Sequence, residues 1–463
     1  MKQRSHHAKN LPPIHKIMKL LSQFRVLLAS MALAATSLSA QPSMQLGADL
    51  AHPNVQADKK TTTYIRALLT GADGIQMEKR KPVNVAIVID KSGSMNGERI
   101  VHARQAAIRA IDLLSAEDVV SVIAYDSKVH VIYPASKLGD ANAVKKAIEN
   151  INADGNTALF AGVSKASEEL RKFKQEDQVN RIVLLSDGMA NVGPDSPEEL
   201  GRLGTALAKE SISVTTLGLG LGYNEDLMTE LALRSDGNHA FIKDSEALAS
   251  VFENEFGDLM SVVAQRLQLK ITCGEGVRPV RTLGLEADIK GQEVVYSFNQ
   301  LYAKQQRSLL LEVELPPGKV DTDVLVAGVS VTYFDAAANK DESVITRSVA
   351  RRVDDETRIG ASLNKEVMEE VAVMIATEKE ALAVKLSDEG RHAEALKALN
   401  DNAAWTASQA AILNSDKLNT INLGQVERQT KFKEGGSSAN EARKMSKELD
   451  FSNRSKNSIP SKK

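Results

Sequence analysis

Two spacings of apolar residues divide the chain. Residues 83–89 are apolar almost without a break, with Val83, Val85, Ala86, Ile87, Val88 and Ile89 around Asn84, and the run stops at Asp90. A short, β-branched run that is apolar on both faces predicts a central parallel strand covered by helices on each side. After Gly97 the apolar positions fall at helical spacing, Ile100, Ala103, Ala107, Ile111 and Leu114. The exchange of strand and helix continues, with strands expected over 119–125, 129–133, 182–185, 214–219 and 239–242. Helices are expected over 141–151, 159–172, 197–209, 225–235 and 246–263. Ser196 before Pro197 is a fitting cap and first turn for one of them. Such alternation predicts an α/β fold over 83–263, a doubly wound, mostly parallel sheet.

Outside that span the period drops to two. Met44, Leu46, Ala48 and Leu50 alternate, as do Thr63, Ile65, Ala67 and Leu69. Beyond it, Leu267, Leu269 and Ile271 alternate, and so do Val294, Tyr296 and Phe298. These patterns predict antiparallel strands in 41–82 and an antiparallel β-sandwich over 264–354. Strand direction relates the pieces. The strand that ends at Asp90 starts at the opposite pole, and a last helix over 246–263 runs back to that pole. The chain therefore enters and leaves the α/β unit close together, so 41–82 and 264–354 are expected as two parts of one sandwich with the α/β unit inserted. Helical spacing returns after 360, with Val367, Val371, Met374, Ile375 and Leu382 as one stripe. His392, Ala395, Leu396 and Leu399 form the next, after a break at Gly390. A helical hairpin region is expected over 360–430, with Trp405 between its helices. The polar stretch 431–463, rich in Ser, Asn and Lys, reads as a disordered tail.

Composition narrows the function. The chain has 463 residues, a net charge of -2 and 4% aromatics. Neither an electrostatic nor a base-stacking case for nucleic acid follows. Lys16 and Lys19 precede an apolar segment over 26–35, and small residues follow to Ala40. This reads as a signal peptide over 1–40, with Met18 as an alternative start, and cleavage before Gln41 or, alternatively, after Ala35-Thr36-Ser37. Retention as a membrane anchor is the alternative, but the apolar core is short for a bilayer span. The expected location is the bacterial periplasm, cell surface or medium, with no transmembrane span after cleavage. Cys273 is the single cysteine, so no intrachain disulfide exists. That fits a bacterial envelope better than a eukaryotic secreted domain. Its alternation with Leu267, Leu269 and Ile271 marks it as a small core residue.

The chemistry lies in the loop after residue 89. Asp90, Ser92 and Ser94 occupy alternate positions between strand and helix. Ligands of open α/β sheets bind at the carboxyl ends of strands, and three hard oxygen side chains there suit Mg²⁺ or Mn²⁺. Asp-x-Ser-x-Ser after an apolar strand resembles the metal-ion-dependent adhesion site of von Willebrand factor A domains. The resemblance places a Thr on a second loop and an Asp on a third. Asp154-Gly155-Asn156-Thr157-Ala158-Leu159 is similar to the family's Gly-Gly-Thr-x-Leu loop, with Asn156 in place of the second Gly, which Asn's tolerance of left-handed backbone makes a mild departure. The segment 181–188, RIVLLSDG, supplies Asp187. By resemblance the metal residues are Asp90, Ser92, Ser94, Thr157 and Asp187. The resemblance implies that both serines, and often the threonine, bind the ion directly, and the aspartates directly or through water. An open position would accept a partner's carboxylate.

The reading is therefore a non-enzymatic, exported binding or adhesion protein dependent on Mg²⁺ (or Mn²⁺ or Ca²⁺). Its partner would be a protein offering an acidic side chain or a carboxyl terminus. The alternative is an accessory or scaffold subunit presenting the α/β unit to an ATPase or envelope-assembly complex. Helix capping by Asp90 and the serines explains one residue, and leaves Thr157 and Asp187 without a role. Other motifs fail on spacing. Residues 217–222, LGLGLG, are not a dinucleotide fingerprint, and in 93–97, GSMNG, the serine falls one place early for a nucleophile elbow. His102, His130 and His239 lie on different elements, so no catalytic residue is assigned.

Overall fold

The computed structural model describes residues 42–73, 82–175, 178–219, 224–242 and 261–455. Strands β1 (Met44–Leu50), β2 (Asn54–Gln56) and β3 (Thr61–Gly71) come first. The α/β unit follows with β4 (Val83–Asp90), α1 (Glu98–Leu113), β5 (Val119–Tyr125), β6 (Val129–Lys137), α2 (Ala141–Glu149) and α3 (Leu159–Arg171). It continues through β7 (Val179–Ser186), α4 (Pro197–Lys209), β8 (Ile212–Leu219), α5 (Glu225–Arg234) and β9 (His239–Ile242). Next are β10 (Val262–Cys273), β11 (Arg278–Leu283), β12 (Asp288–Lys290), β13 (Glu293–Tyr302), β14 (Gln306–Leu315), β15 (Asp323–Asp335) and β16 (Lys340–Val353). Helices α6 (Glu356–Ala361), α7 (Lys365–Asp388), α8 (His392–Leu413), α9 (Asp416–Glu434) and α10 (Gly436–Ser455) end the described chain.

The α/β sheet has the order β6-β5-β4-β7-β8-β9. Its pairs are parallel except the β5–β6 hairpin. Every residue of β4 is buried, because Val85, Ile87 and Ile89 face Ile100, Ala103 and Ile111 of α1 while Ala86 and Val88 face Val163 and Leu170 of α3. Burial of each large side chain contributes about 1.5–3 kcal/mol, which is why the apolar run must be central. Ser196 caps α4 in a capping box with Glu199 and Pro197.

The sandwich sheets have the orders β1-β3-β14-β11 and β12-β13-β10-β15-β16-β2. Ile65 of β3 pairs with Leu311 of β14, and Val55 of β2 lies in parallel register with Arg352 of β16. Strands from before the α/β unit thus complete sheets built after it, and the α/β unit is an insertion in the sandwich. Ile65, Leu69, Leu269, Phe298, Leu311 and Val329 form part of the sandwich core. Cys273 is buried there, and burial pushes its thiol up to about 11, so it stays protonated.

The two units are joined at the pole where β4 and β7 begin. Arg181, buried in β7, donates to Thr215 Oγ1 at 2.8 Å, Tyr302 Oη at 2.6 Å and Gln300 Oε1 at 3.0 Å. Arg307 of β14 grips Asp236, which follows α5, with Nη2–Oδ1 at 2.5 Å and Nη1–Oδ2 at 3.1 Å. The Asn299 amide donates to the same carboxylate at 2.6 Å. Arg307 is tolerated this deep because it is paired with Asp236, and Arg181 because neutral acceptors receive its hydrogen bonds. The carboxyl ends of the strands, with Asp90 and Asp187, therefore point away from the sandwich.

Several expectations differ from the structure. The hairpin expected over 360–430 contains three long helices, since Asn414 ends α8 in left-handed geometry and Ser415 caps α9. The tail expected to be disordered is helical through Ser455. Its partners lie elsewhere in the chain. Ala442 and Phe451 are buried, Ser446 Oγ donates to Glu380 Oε1 at 2.7 Å, and Asn453 Nδ2 donates to Thr377 Oγ1 at 2.8 Å. Glu380 is itself paired with Arg428. Arg443 bridges Asp388 of α7 and Asp226 of α5, at 2.7 and 2.8 Å. Composition alone counts these polar side chains as solvated, whereas tertiary contacts order them. The signal peptide and most of the helix expected over 246–263 lie outside the described residues, and Val262 and Val263 already belong to β10. Trp405 is half-buried, with Lys379 Nζ 4.0 Å from its ring centre. Among the described residues no helix is long and apolar enough to cross a membrane.

Candidate functional site

Asp90 is the last residue of β4 and Asp187 follows β7, the neighbouring parallel strand. Both are fully buried. Parallel pairing fixes the two carboxylates at the same end of the sheet, where each strand leaves for a loop. The Ser92 amide donates to Asp90 Oδ1 at 2.9 Å, which folds the loop back on the strand end. Residues 93–95 then make a single 3₁₀ turn. That turn brings Ser92 Oγ and Ser94 Oγ within 3.1 Å of each other. Ser92 is buried and Ser94 exposed, so the hydroxyls form the floor and rim of one recess.

The second loop is laced to the first. The Gly93 amide donates to the Gly155 carbonyl at 2.9 Å, and the Asp154 amide to the Lys91 carbonyl at 2.6 Å. Gly155 has φ of 75°, and a Cβ there would come 3.1 Å from Ser127 Oγ. The left-handed residue of this loop is Gly155, and Asn156 is not among the residues with positive φ. The substitution that sets this loop apart from the family pattern therefore causes no backbone strain. Thr157 is 2% exposed. Its amide donates to Asn191 Oδ1 at 2.9 Å, and its carbonyl accepts from the Asn191 amide at 3.1 Å. The third loop, after Asp187, thus holds the second.

Asp90 Oδ2 accepts from Ser186 Oγ at 2.5 Å and Tyr125 Oη at 3.1 Å. Burial pushes this carboxyl up to about 6; the hydrogen bonds from Ser186 and Ser92 oppose that rise and the charge of Asp187 adds to it. Tyr125 is raised well above its ordinary value by burial, so it stays a neutral donor. Asp187 Oδ2 accepts from Arg99 Nη1 at 3.0 Å. Gly188, at φ of 66°, lets the chain turn against Asn224, whose amide donates to the Asp187 carbonyl at 3.0 Å. Beside the recess Met189 is 49% exposed.

The five residues named from the sequence thus meet on three interlocked loops at one end of the sheet. They offer two carboxylates and three hydroxyls, an all-oxygen set of the kind hard divalent cations prefer. Among the described residues no group of three or more His, Cys, Asp or Glu side chains is placed to hold a metal. Tyr125, Ser186, Arg99 and Asn191 also belong to the site and were not identified from sequence. Only Ser186, adjacent to Asp187, carried any local signal. His102, His130 and His239 remain on α1, β6 and β9. Burial pulls His239 down to about 4, and its Nδ1 lies 2.8 Å from Thr216 Oγ1.

Residues 84–254 match the family model described as the von Willebrand factor type A domain. The chain contains a von Willebrand factor type A domain. The solved von Willebrand factor type A protein from Catenulispora acidiphila shares the wider architecture. It aligns with a TM-score of 0.65 over 90% of this chain and 97% of its own, at 16% identity. An uncharacterized protein of Synechocystis sp. is 26% identical over 338 residues, 70% of this chain and 79% of that protein. An uncharacterized protein of Escherichia coli K12 is 26% identical over 252 residues, and the matched region is 43% of its length. The first residue of the domain match, Asn84, lies in β4, so the domain begins at the strand that carries Asp90.

Proposed function

We propose that the chain is an exported protein-binding module that captures a partner's carboxylate through a divalent cation held by Asp90, Ser92, Ser94, Thr157 and Asp187. The observation that carries this reading is the charge balance of the recess. Two fully buried carboxylates stand at adjoining strand ends, and burying like charges together is costly without a compensating cation. Arg99 meets Asp187, whereas the donors that reach Asp90 among the described residues are neutral, namely Ser186, Tyr125 and the Ser92 amide. Mg²⁺ fits this set best by ligand type, with Mn²⁺ and Ca²⁺ as alternatives. A shell with so few negative groups leaves a bound ion electrophilic toward an incoming carboxylate. The protein's part is to fix the hydroxyls, through the Gly93–Gly155 and Thr157–Asn191 contacts, and to hold Asp90 in place through Tyr125 and Ser186.

Export rests on the leader pattern in 1–40, and an envelope or extracellular location follows from it. Affinity capture from cell envelopes tests the proposal. The full chain should retain an acidic partner in Mg²⁺ and release it in chelator. N-terminal sequencing of the native protein should begin near Gln41. Retention unaffected by chelator contradicts the metal-bridged mode, and a mature protein that keeps residues 26–35 contradicts removal of the leader.

A further inference from the structure

Arg99 was not among the residues recognised from the sequence, and its position is unusual for a cation-binding recess. It lies in the first turn of α1. Its Nη1 donates both to Asp187 Oδ2 at 3.0 Å and to the Ser94 carbonyl at 3.1 Å. One guanidinium therefore ties together two of the three site loops. Asp187 is fully buried, while the Arg99 side chain is 37% exposed, so the arginine reaches in from the rim and has room to withdraw.

We infer that Arg99 is a built-in competitor for the cation, and that it sets the metal affinity of the site. The inference rests on the metal-binding reading above. Asp187 has one negative charge to share. Neutralised by Arg99, it attracts a second cation less strongly, and a divalent ion beside a guanidinium meets like-charge repulsion. The same contact stabilises the protein at low cation concentration, because it compensates a carboxylate that would otherwise be buried unpaired. Arg99 thus exchanges tight metal binding for an ordered recess across a range of cation levels. A site tuned in this way loads when the surroundings are rich in divalent cation.

The test compares wild type, Arg99→Gln and Arg99→Lys in the full chain, by calorimetric titration with Mn²⁺ and by thermal melting in chelator and in Mg²⁺. Arg99→Gln removes the charge and leaves a shorter, neutral polar side chain, and should bind Mn²⁺ about tenfold more tightly. Arg99→Lys keeps the charge and should stay within about threefold of wild type. In chelator Arg99→Gln should melt below wild type, and excess Mg²⁺ should close the gap. Equal or weaker Mn²⁺ binding by Arg99→Gln, with wild type binding normally, overturns the role of Arg99 and leaves the metal site standing. Absence of Mn²⁺ binding in all three proteins overturns the metal reading itself, and the inference with it.

Discussion

Replacing Gly162 by alanine tests how the fold holds the site. Gly162 is buried on α3, facing Tyr125. A Cβ built there would lie 2.5 Å from Tyr125 Cδ1 and 2.9 Å from Cγ. In an unconstrained helix this substitution would gain about 0.5–1 kcal/mol. Here the ring cannot swing aside, because Tyr125 is fully buried and its hydroxyl is fixed to Asp90 Oδ2 at 3.1 Å and Ser186 Oγ at 3.0 Å. Helix α3 must instead back away from the sheet, which loosens Leu159, Val163, Ala166 and Leu170 against β4 and β7. Overpacking of this kind costs about 1–3 kcal/mol. A contact of 2.5 Å belongs to the upper half of that range, so after the helix-propensity gain a net loss of about 1–2 kcal/mol is expected. Urea denaturation of the full chain followed by far-ultraviolet circular dichroism measures it. On a Tyr125→Ala background the added methyl fills vacated space, so Gly162→Ala should there be neutral or stabilising. A Gly162→Ala variant as stable as wild type, or more stable, would refute the argument that α3 packs on Tyr125 at glycine distance.

His239 has its pKa lowered from 6.5 to about 4 by burial, so it contributes stability that is complete above pH 6.5 and lost as pH falls through about 4. His239→Gln should flatten the pH dependence of stability in that window by up to about 3 kcal/mol; unchanged pH dependence would show that the histidine titrates alike in both states. Arg307→Met strands the buried Asp236 carboxylate, and should cost about 3–5 kcal/mol, partly recovered when Asp236→Asn is added. A loss below about 1 kcal/mol in chemical denaturation would mean that the junction between sandwich and α/β unit does not depend on this pair.

What sequence could reveal follows from how local each signal is. Strand β4 was readable because its two faces are covered, which forces a continuous apolar run, and Asp90 stood out as its abrupt polar end. The insertion was readable from strand direction together with period-two alternation on both sides. Other features depend on distant residues and left no periodic trace. Strand β2 has three residues, and its parallel pairing with β16 joins positions about 300 apart in the chain. Helix α10 was hidden because its anchors, Ser446 and Asn453, are polar side chains that meet Glu380 and Thr377. In the site, the five oxygen-bearing residues were marked by short motifs. Tyr125 and Arg99 reach Asp90 and Asp187 across the fold, so spacing could not reveal them.

On the proposed reading, Asp90, Ser92, Ser94, Thr157 and Asp187 form a single divalent-cation site on a fold that does not need the metal to form. Calorimetric titration of Mn²⁺ into the full chain, beside Asp90→Ala and Thr157→Ala, tests it most directly. Wild type should bind one ion, Asp90→Ala should bind none, and Thr157→Ala should bind more weakly. All three should keep the same far-ultraviolet circular dichroism spectrum. Equal Mn²⁺ affinity in wild type and Asp90→Ala, or no binding by wild type, would mean that these residues do not form a cation site.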